Sequence, residues 1–146
     1  MRVRRAAAGD FEAVTELLEE LGRAEVTPQT REACRALYKS HLDDLGAAHL
    51  LAEDDSGVPV AFCSLHFRGR LNHPTPDAWI PDLVVTAGAR RRGAASRLLE
   101  EAQRLARERG CWALTLESGY GRTEAHVLYD SFGMTDMGKY FAKRLT

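Results

Sequence analysis

The sequence predicts one α/β domain over residues 1–146, built on a mixed, mostly antiparallel sheet. Three observations predict it. Apolar residues recur at helical spacing in some segments and as short extended runs in others. The strands before residue 68 are joined by a short turn, which pairs neighbours antiparallel. Residues 78 to 116 read as strand, helix, strand, a crossover unit that makes its two strands parallel. The element order is β-α-α-β-β-β-α-β-α-β.

Val3 sits in a short extended start. Asp10 has the character of an N-cap, and Phe11, Val14, Leu17, Leu18 and Leu21 follow at helical spacing up to Gly22. Thr27-Pro28 pairs a capping hydroxyl with proline at the first helical position, and Ala33, Leu37, Leu42 and Leu45 lead to Gly46. His49 to Ala52 reads as a strand, and Asp54 to Gly57 as a turn. Val58 to Phe67 is apolar on both faces, as in a central strand. After a polar loop, Ala78 to Val85 forms a further strand. Its Pro81 cannot donate to a ladder and marks an edge or a bulge. Gly93 opens a helix striped by Ala95, Leu98, Leu99, Ala102, Leu105 and Ala106, closed by Arg109-Gly110. Trp112 to Leu116 is a strand, Thr123 to Phe132 a short helix ending at Gly133, and Met137 to Leu145 a last strand.

Composition narrows the function classes. Hydrophobic residues make up 45%, charged residues 28%, and the net charge is −1, the profile of a globular chain. A near-neutral charge speaks against nucleic acid, whose binders are strongly basic. No apolar run approaches the ~18 residues of a membrane span. The basic N-terminus meets Asp10 and Glu12 instead of an apolar stretch, so no leader is expected. Cys34, Cys63 and Cys111 are odd in number and widely spaced, which suits reduced thiols and a cytoplasmic location.

The segment from Val85 to Ser96 carries the first chemistry. Arg90, Arg91 and Arg92 stand where a helix begins, and the helix dipole disfavours cations there. Gly93-Ala94-Ala95 lets another backbone come close, and the free amides of a helix start bind anions. A solvated charge run is the plain alternative; a phosphate-bearing ligand accounts better for cations at that place. The segment fits neither a P-loop nor a dinucleotide-binding glycine motif.

Arg90-Arg91-Arg92-Gly93-Ala94-Ala95 resembles the [Q/R]-x-x-G-x-[G/A] signature of the GNAT superfamily of acyl-CoA-dependent N-acyltransferases. Asp82 to Val85 is similar to that family's fourth strand. Arg122-x-x-Ala125-His126-x-Leu128-Tyr129, followed by Gly133-Met134, resembles its later A-x-x-[FL]-Y-x-x-x-G-F segment. Ala95 replaces the commoner second glycine, and Arg122 stands where many members have asparagine. The likeness spans the chain in the family's element order. Leu71-Asn72-His73 and the ending Lys139 to Lys143 are similar to its aminoalkylphosphonate branch.

The resemblance implies acetyl-CoA as co-substrate. Its pyrophosphate would rest on the segment Arg90, Arg91, Arg92, Gly93, Ala94, Ala95 and Ser96. Its pantetheine arm would pair with Leu83, Val84 and Val85 like an added strand, beside a bulge to which Pro81 is suited. Tyr129 would protonate the departing thiolate, a task that a phenol of ordinary pKa ~10 performs while staying neutral at pH 7. On spacing alone Tyr129 reads first as a packing residue, since Ala125, Leu128 and Phe132 share its face; the resemblance reverses that order. Asp82 would take the proton of the attacking amine, with Glu117 next in line; the alternative is a structural Asp paired with an arginine or histidine.

His66 and His73 could line an acceptor pocket or, with Asp82, hold a metal, but no tight ligand spacing supports one and none is expected. Tyr38, His41, Tyr120 and Tyr140 are candidate pocket walls, and His126 a packing residue. Direct transfer in a ternary complex is expected over a cysteine intermediate, because Cys63 and Cys111 lack a nearby activating histidine. The expected acceptor is a small-molecule primary amine. A protein N-terminus or lysine, and a non-catalytic acyl-CoA-binding module, are the rival readings. The family often dimerises, which leaves a homodimer open.

Overall fold

Strands β1 (Arg2–Arg5), β2 (Ala47–Glu53) and β3 (Pro59–Arg68) form an antiparallel meander in the computed structural model, which describes residues 1–120 and 122–146. The β2–β3 hairpin closes through Asp54, whose Oδ1 accepts from the amides of Ser56 and Val58. β4 (Asp77–Ile80) and β5 (Leu83–Val85) both pair antiparallel with β3, and β6 (Leu114–Leu116) pairs parallel with β4. The sheet order is β1-β2-β3-β4-β6, with β5 beside β3. This is the mixed, mostly antiparallel sheet the sequence predicts. Contacts divide the chain into two units, Met1–Leu116 and Glu117–Thr146.

In the first unit the pleat sorts β2, β3 and β5 onto two faces. Leu51, Phe62 and Val84 pack with Val14 and Leu17 of α1 (Phe11–Leu21). Leu50, Cys63 and Leu65, which alternate with them along β2 and β3, are fully buried on the other face. Helix α3 (Ala94–Glu108) lies against β2 and β3 and buries Ala94, Leu98, Leu99, Ala102, Leu105 and Ala106. That is the predicted stripe, with Ala94 added and Ala95 at its margin.

Helix α2 (Arg31–Asp43) starts later than Thr27-Pro28 suggests. Thr27 and Thr30 instead close a turn, with the Thr27 carbonyl accepting from the amides of Thr30 and Arg31. Asp10 precedes α1, but its side chain caps no helical amide. Arg4 takes both its carboxylate oxygens, at 2.7 and 2.9 Å, and one of them also accepts from the Ala7 amide. A charged, bidentate partner outcompetes a cap.

The second unit holds α4 (Thr123–Ser131), as the sequence predicts. The strand expected over 137–145 is absent: residues 132–146 contain no helix or strand. Its apolar residues Met137, Tyr140, Phe141 and Leu145 are exposed. Alternating composition supplies strand propensity, but a strand exists only where a partner edge accepts its ladder. Among the described residues, no helix is long and apolar enough to cross a membrane.

Candidate active site

The strand expected over 78–85 is broken at Pro81-Asp82. Trp79 faces His66 across the ladder, whereas Leu83 faces Cys63, so the β4–β5 side has one residue more than β3. This is a one-residue bulge at the proline, the position where a missing N–H costs the ladder least. The amide of Ser64 donates to the Asp82 carbonyl, and that of Thr86 to the Val60 carbonyl. Alternation along the strand then turns the N–H and C=O groups of Leu83 and Val85 away from β3. β6 pairs with β4 only as far as Ile80. Among the described residues, no strand pairs with the outer edge of β5.

That open edge runs into the start of α3. The 3₁₀ turn Ala87–Ala89 leads into Arg90, Arg91, Arg92 and Gly93, all exposed. Arg90 Nε lies 3.4 Å from the Val85 carbonyl, folding that side chain back on the edge. Gly93 is the N-cap with φ +82°, and no side chain caps α3. The first main-chain bond of the helix is Arg97 N–H to the Gly93 carbonyl, at 3.0 Å. The amides of Ala94, Ala95 and Ser96 precede it and are the donors a helix start leaves over. An extended edge and the leftover amides of a helix start thus adjoin one another.

Asp82 projects from the bulge and serves two donors. Arg23 Nε donates to Oδ1 at 2.8 Å, and the Ser64 hydroxyl lies 3.2 Å from Oδ2. The Asp82 amide donates to the same hydroxyl, at 3.1 Å. Arg23 arrives through the end of α1: the amides of Gly22 and Arg23 bond the carbonyls of Glu19 and Leu18, a Schellman closure with Gly22 at φ +102°. The arginine partner matches the structural alternative weighed for Asp82. These two donors engage two of the roughly four acceptor positions of its carboxylate. Neither Arg23 nor Ser64 carries a motif in the sequence; the end of α1 and the bulge bring them to Asp82.

Beside Ser64 on the same face lie three imidazoles. Ala47 faces His66 and His49 faces Ser64, so His49 and His66 are diagonal neighbours on one face of β2–β3. His41 of α2 stacks on His49 at 5.4 Å between centroids. His66 meets both rings edge-on, at 5.5 and 5.7 Å. His49 is 8% exposed, and its Nε2 is buried with no partner. Leaving such an atom unsatisfied costs ~1–3 kcal/mol. His73 is not in this group: its ring stacks on Trp112 at 4.5 Å, and its Nδ1 lies 3.2 Å from the Thr75 hydroxyl. The grouping of His66 with His73 therefore gives way to one with His41 and His49. Neither histidine was visible in this role from local spacing, since β2 and α2 meet only in the fold.

Burial, reinforced by His66 and His41, pushes the His49 pKa down from 6.5 to about 4, against a smaller opposing effect of Asp82. Burial lowers His66 as well. Below pH 6.5 the unfolded chain binds a proton at position 49 that the folded chain refuses. Stability is then full above about pH 6.5 and falls as pH drops toward about 4. His49 alone should cost up to ~3 kcal/mol across that window. Chemical denaturation at pH 7 and pH 4.5, in the presence of a chelator, measures the loss. In His49→Asn the acid-side loss should be smaller; an unchanged loss would assign it to other groups.

Cys34, Cys63 and Cys111 are free. Complete burial drives the Cys63 thiol well above its ordinary range, and burial also raises Cys111. Neither is disposed to form a thiolate. Tyr129 lies on α4, where Ala125, His126, Leu128, Tyr129 and Phe132 form the half-buried side. The amide of Met134 returns to the Tyr129 carbonyl at 2.9 Å, with Gly133 at φ +87° ending the helix.

Comparison with known proteins places this geometry. Residues 11–134 match the family model described as Acetyltransferase (GNAT) family. The chain is 39% identical over 72 residues to the uncharacterized N-acetyltransferase YhdJ of Bacillus subtilis (strain 168). That match takes in 49% of this chain and 51% of the relative, so the chain spans about half of that relative's length. A second relative from the same organism, the uncharacterized N-acetyltransferase YhfO, is 26% identical over 133 residues, 91% of this chain and 89% of its own. A solved structure from Agrobacterium tumefaciens str. C58, described as a candidate acetyltransferase, shares 27% identity and a TM-score of 0.86 over 99% of both chains. The aminoglycoside N-acetyltransferase AAC(6')-Iy, solved in complex with CoA, has the same fold at TM-score 0.79 and 19% identity, over 99% of each chain.

Proposed function

The chain belongs to the GNAT acetyltransferase family, and from that premise we propose that it acetylates a primary amine of a small-molecule acceptor by direct attack within a ternary complex. It is an N-acetyltransferase, and acetyl-CoA is its co-substrate. The observation that carries the site is the split strand: an unpaired edge at Leu83 and Val85 beside the free amides of Ala94, Ala95 and Ser96. In this reading the edge pairs with the amide-rich pantetheine arm, the amides hold the pyrophosphate, and Arg90, Arg91 and Arg92 add positive charge around it. Three free cysteines suit a reducing, cytoplasmic setting.

Acetyl-CoA supplies a thioester with a carbonyl open to attack and a thiolate that departs. The chain supplies proton handling at both ends. Asp82 holds the ammonium and takes its proton, directly or through a water, while Arg23 and Ser64 keep the carboxylate in place. The Tyr129 hydroxyl gives a proton to the departing sulfur. A buried Cys63 with a raised pKa supports direct attack over a cysteine intermediate. Glucosamine-6-phosphate and aminoglycoside N-acetyltransferases share the fold, which supports small acceptors.

A panel of aminoalkylphosphonates, polyamines, aminoglycosides, amino sugars and a lysine peptide, with free thiol as readout, tests the acceptor class. CoA release with a small amine and not with the peptide is the expected result. Release only with the peptide would overturn the small-molecule reading, and tight acetyl-CoA binding without release would make the chain a binding module. Asp82→Asn keeps the shape and its hydrogen-bonding reach while removing the proton acceptor. Its kcat should fall by ~10²-fold or more at pH 7 and recover in part at higher pH, where more amine is already neutral. Full turnover would reduce Asp82 to a tie across the bulge and pass the base role to Glu117.

A further inference from the structure

We propose that His41, His49 and His66 form a three-imidazole site for a divalent cation of the zinc class, with a fourth position left open. One ring nitrogen from each lies within 4.8 Å of the other two. A small inward adjustment brings such a set to tetrahedral geometry, whose nitrogen ligands sit at about 2.0–2.1 Å from zinc. The second, independent observation is the orphaned Nε2 of His49: the residue is 8% exposed and this atom is buried without a partner. A buried ring nitrogen without a partner, in a ring that packs against two further imidazoles, is a donor that a cation would satisfy.

Donor chemistry selects the metal class. Three imidazoles, with no thiolate among them, suit zinc, copper or nickel over magnesium or calcium, which require oxygen ligands. Three protein ligands and one free position is the pattern of an open site, where a fourth ligand can exchange. A half-open pocket of about 110 Å³ lies against two of the three rings, His41 and His49, bounded by Arg5 and Ala47 among others.

The site would also explain how α2 is held. This helix buries no residue. Tyr38 ties it to the turn before α1 and to α1 itself, through a 2.6 Å bond to the Ala7 carbonyl and a ring contact with Phe11 at 5.5 Å. His41, one turn further on, meets the two strand histidines on the sheet face. A shared cation would clamp the C-terminal end of α2 onto β2 and β3, next to Ser64 and the bulge.

The test uses the full chain, stripped with a chelator and dialysed, then titrated with Zn²⁺ against a chromophoric competitor and with Co²⁺ in the visible range. One equivalent of Zn²⁺ should bind, and Co²⁺ should develop the intense bands of a four-coordinate site. Hydrogen exchange over 31–43 should slow when metal is added. His41→Asn and His66→Asn should each weaken binding by about 100-fold or more, beyond the 10–100-fold usual for losing only an outer partner of a ligand. Both residues are partly exposed, so these variants should keep the parent's far-ultraviolet spectrum in chelator. Absence of the cobalt bands would overturn the proposal, as would parent-like affinity in both variants. Acetyl transfer is not a readout, so failure here leaves the proposed activity standing.

Discussion

Tyr129→Phe lowers kcat by ~10²–10⁴-fold while acetyl-CoA affinity changes little. The substitution removes one oxygen and leaves the ring, so the half-buried side of α4 keeps its packing. A hydroxyl that matters only as the thiolate departs contributes to the transition state alone. Losing it lowers kcat and kcat/KM together. A smaller drop would mean that Tyr129 only orients the sulfur and water supplies the proton. A packing tyrosine predicts the opposite pair of results, a changed Tm with parent turnover. Steady-state kinetics and thermal unfolding of one variant therefore separate the two roles, and parent turnover removes Tyr129 from the mechanism.

Gly93→Glu abolishes measurable acetyl-CoA binding and leaves the fold intact. The reason is not crowding within the free chain. A Cβ built at Gly93 meets nothing within 4 Å. The constraint is the backbone, at φ +82°, where a side chain costs ~1–2 kcal/mol. The added carboxylate also stands at the mouth of the donor set of Ala94, Ala95 and Ser96, and repels a diphosphate that approaches it. Gly93→Ala separates these effects: it should lose similar stability and retain most of the binding. Calorimetry with acetyl-CoA measures both variants. Unchanged affinity in Gly93→Glu would move the phosphate site elsewhere.

Much of the fold was legible because it is written locally. The α3 stripe, the αL stop at Gly22 and the Asp54–Gly57 turn each depend on a few neighbouring residues, and each formed as the pattern implied. The placement of Arg90, Arg91 and Arg92 at the start of α3 was legible for the same reason, since it needs only the helix boundary beside them. Pro81 was readable as an edge or bulge because a missing N–H is a property of the residue itself. Misreadings arose where a distant partner intervened. Arg4 took the carboxylate that local rules assign to a cap at Asp10. The run from 137 to 145 had the composition of a strand and no ladder to join.

By itself, then, the sequence determined the mixed sheet, its helices, the exposed basic start of α3 and the family, since periodicity, turn chemistry and contiguous motifs act over a few residues. Only the tertiary structure decided which side chains meet. Register placed the extra residue of the bulge opposite Ser64 and turned the edge of Leu83 and Val85 outward. It also set His49 diagonal to His66, and the packing of α2 brought His41 against both. A strand's pleat settles which face a residue occupies relative to its own neighbours. What stands across from it depends on which distant segment pairs there and at what offset, and that offset is chosen by burial of the whole sheet.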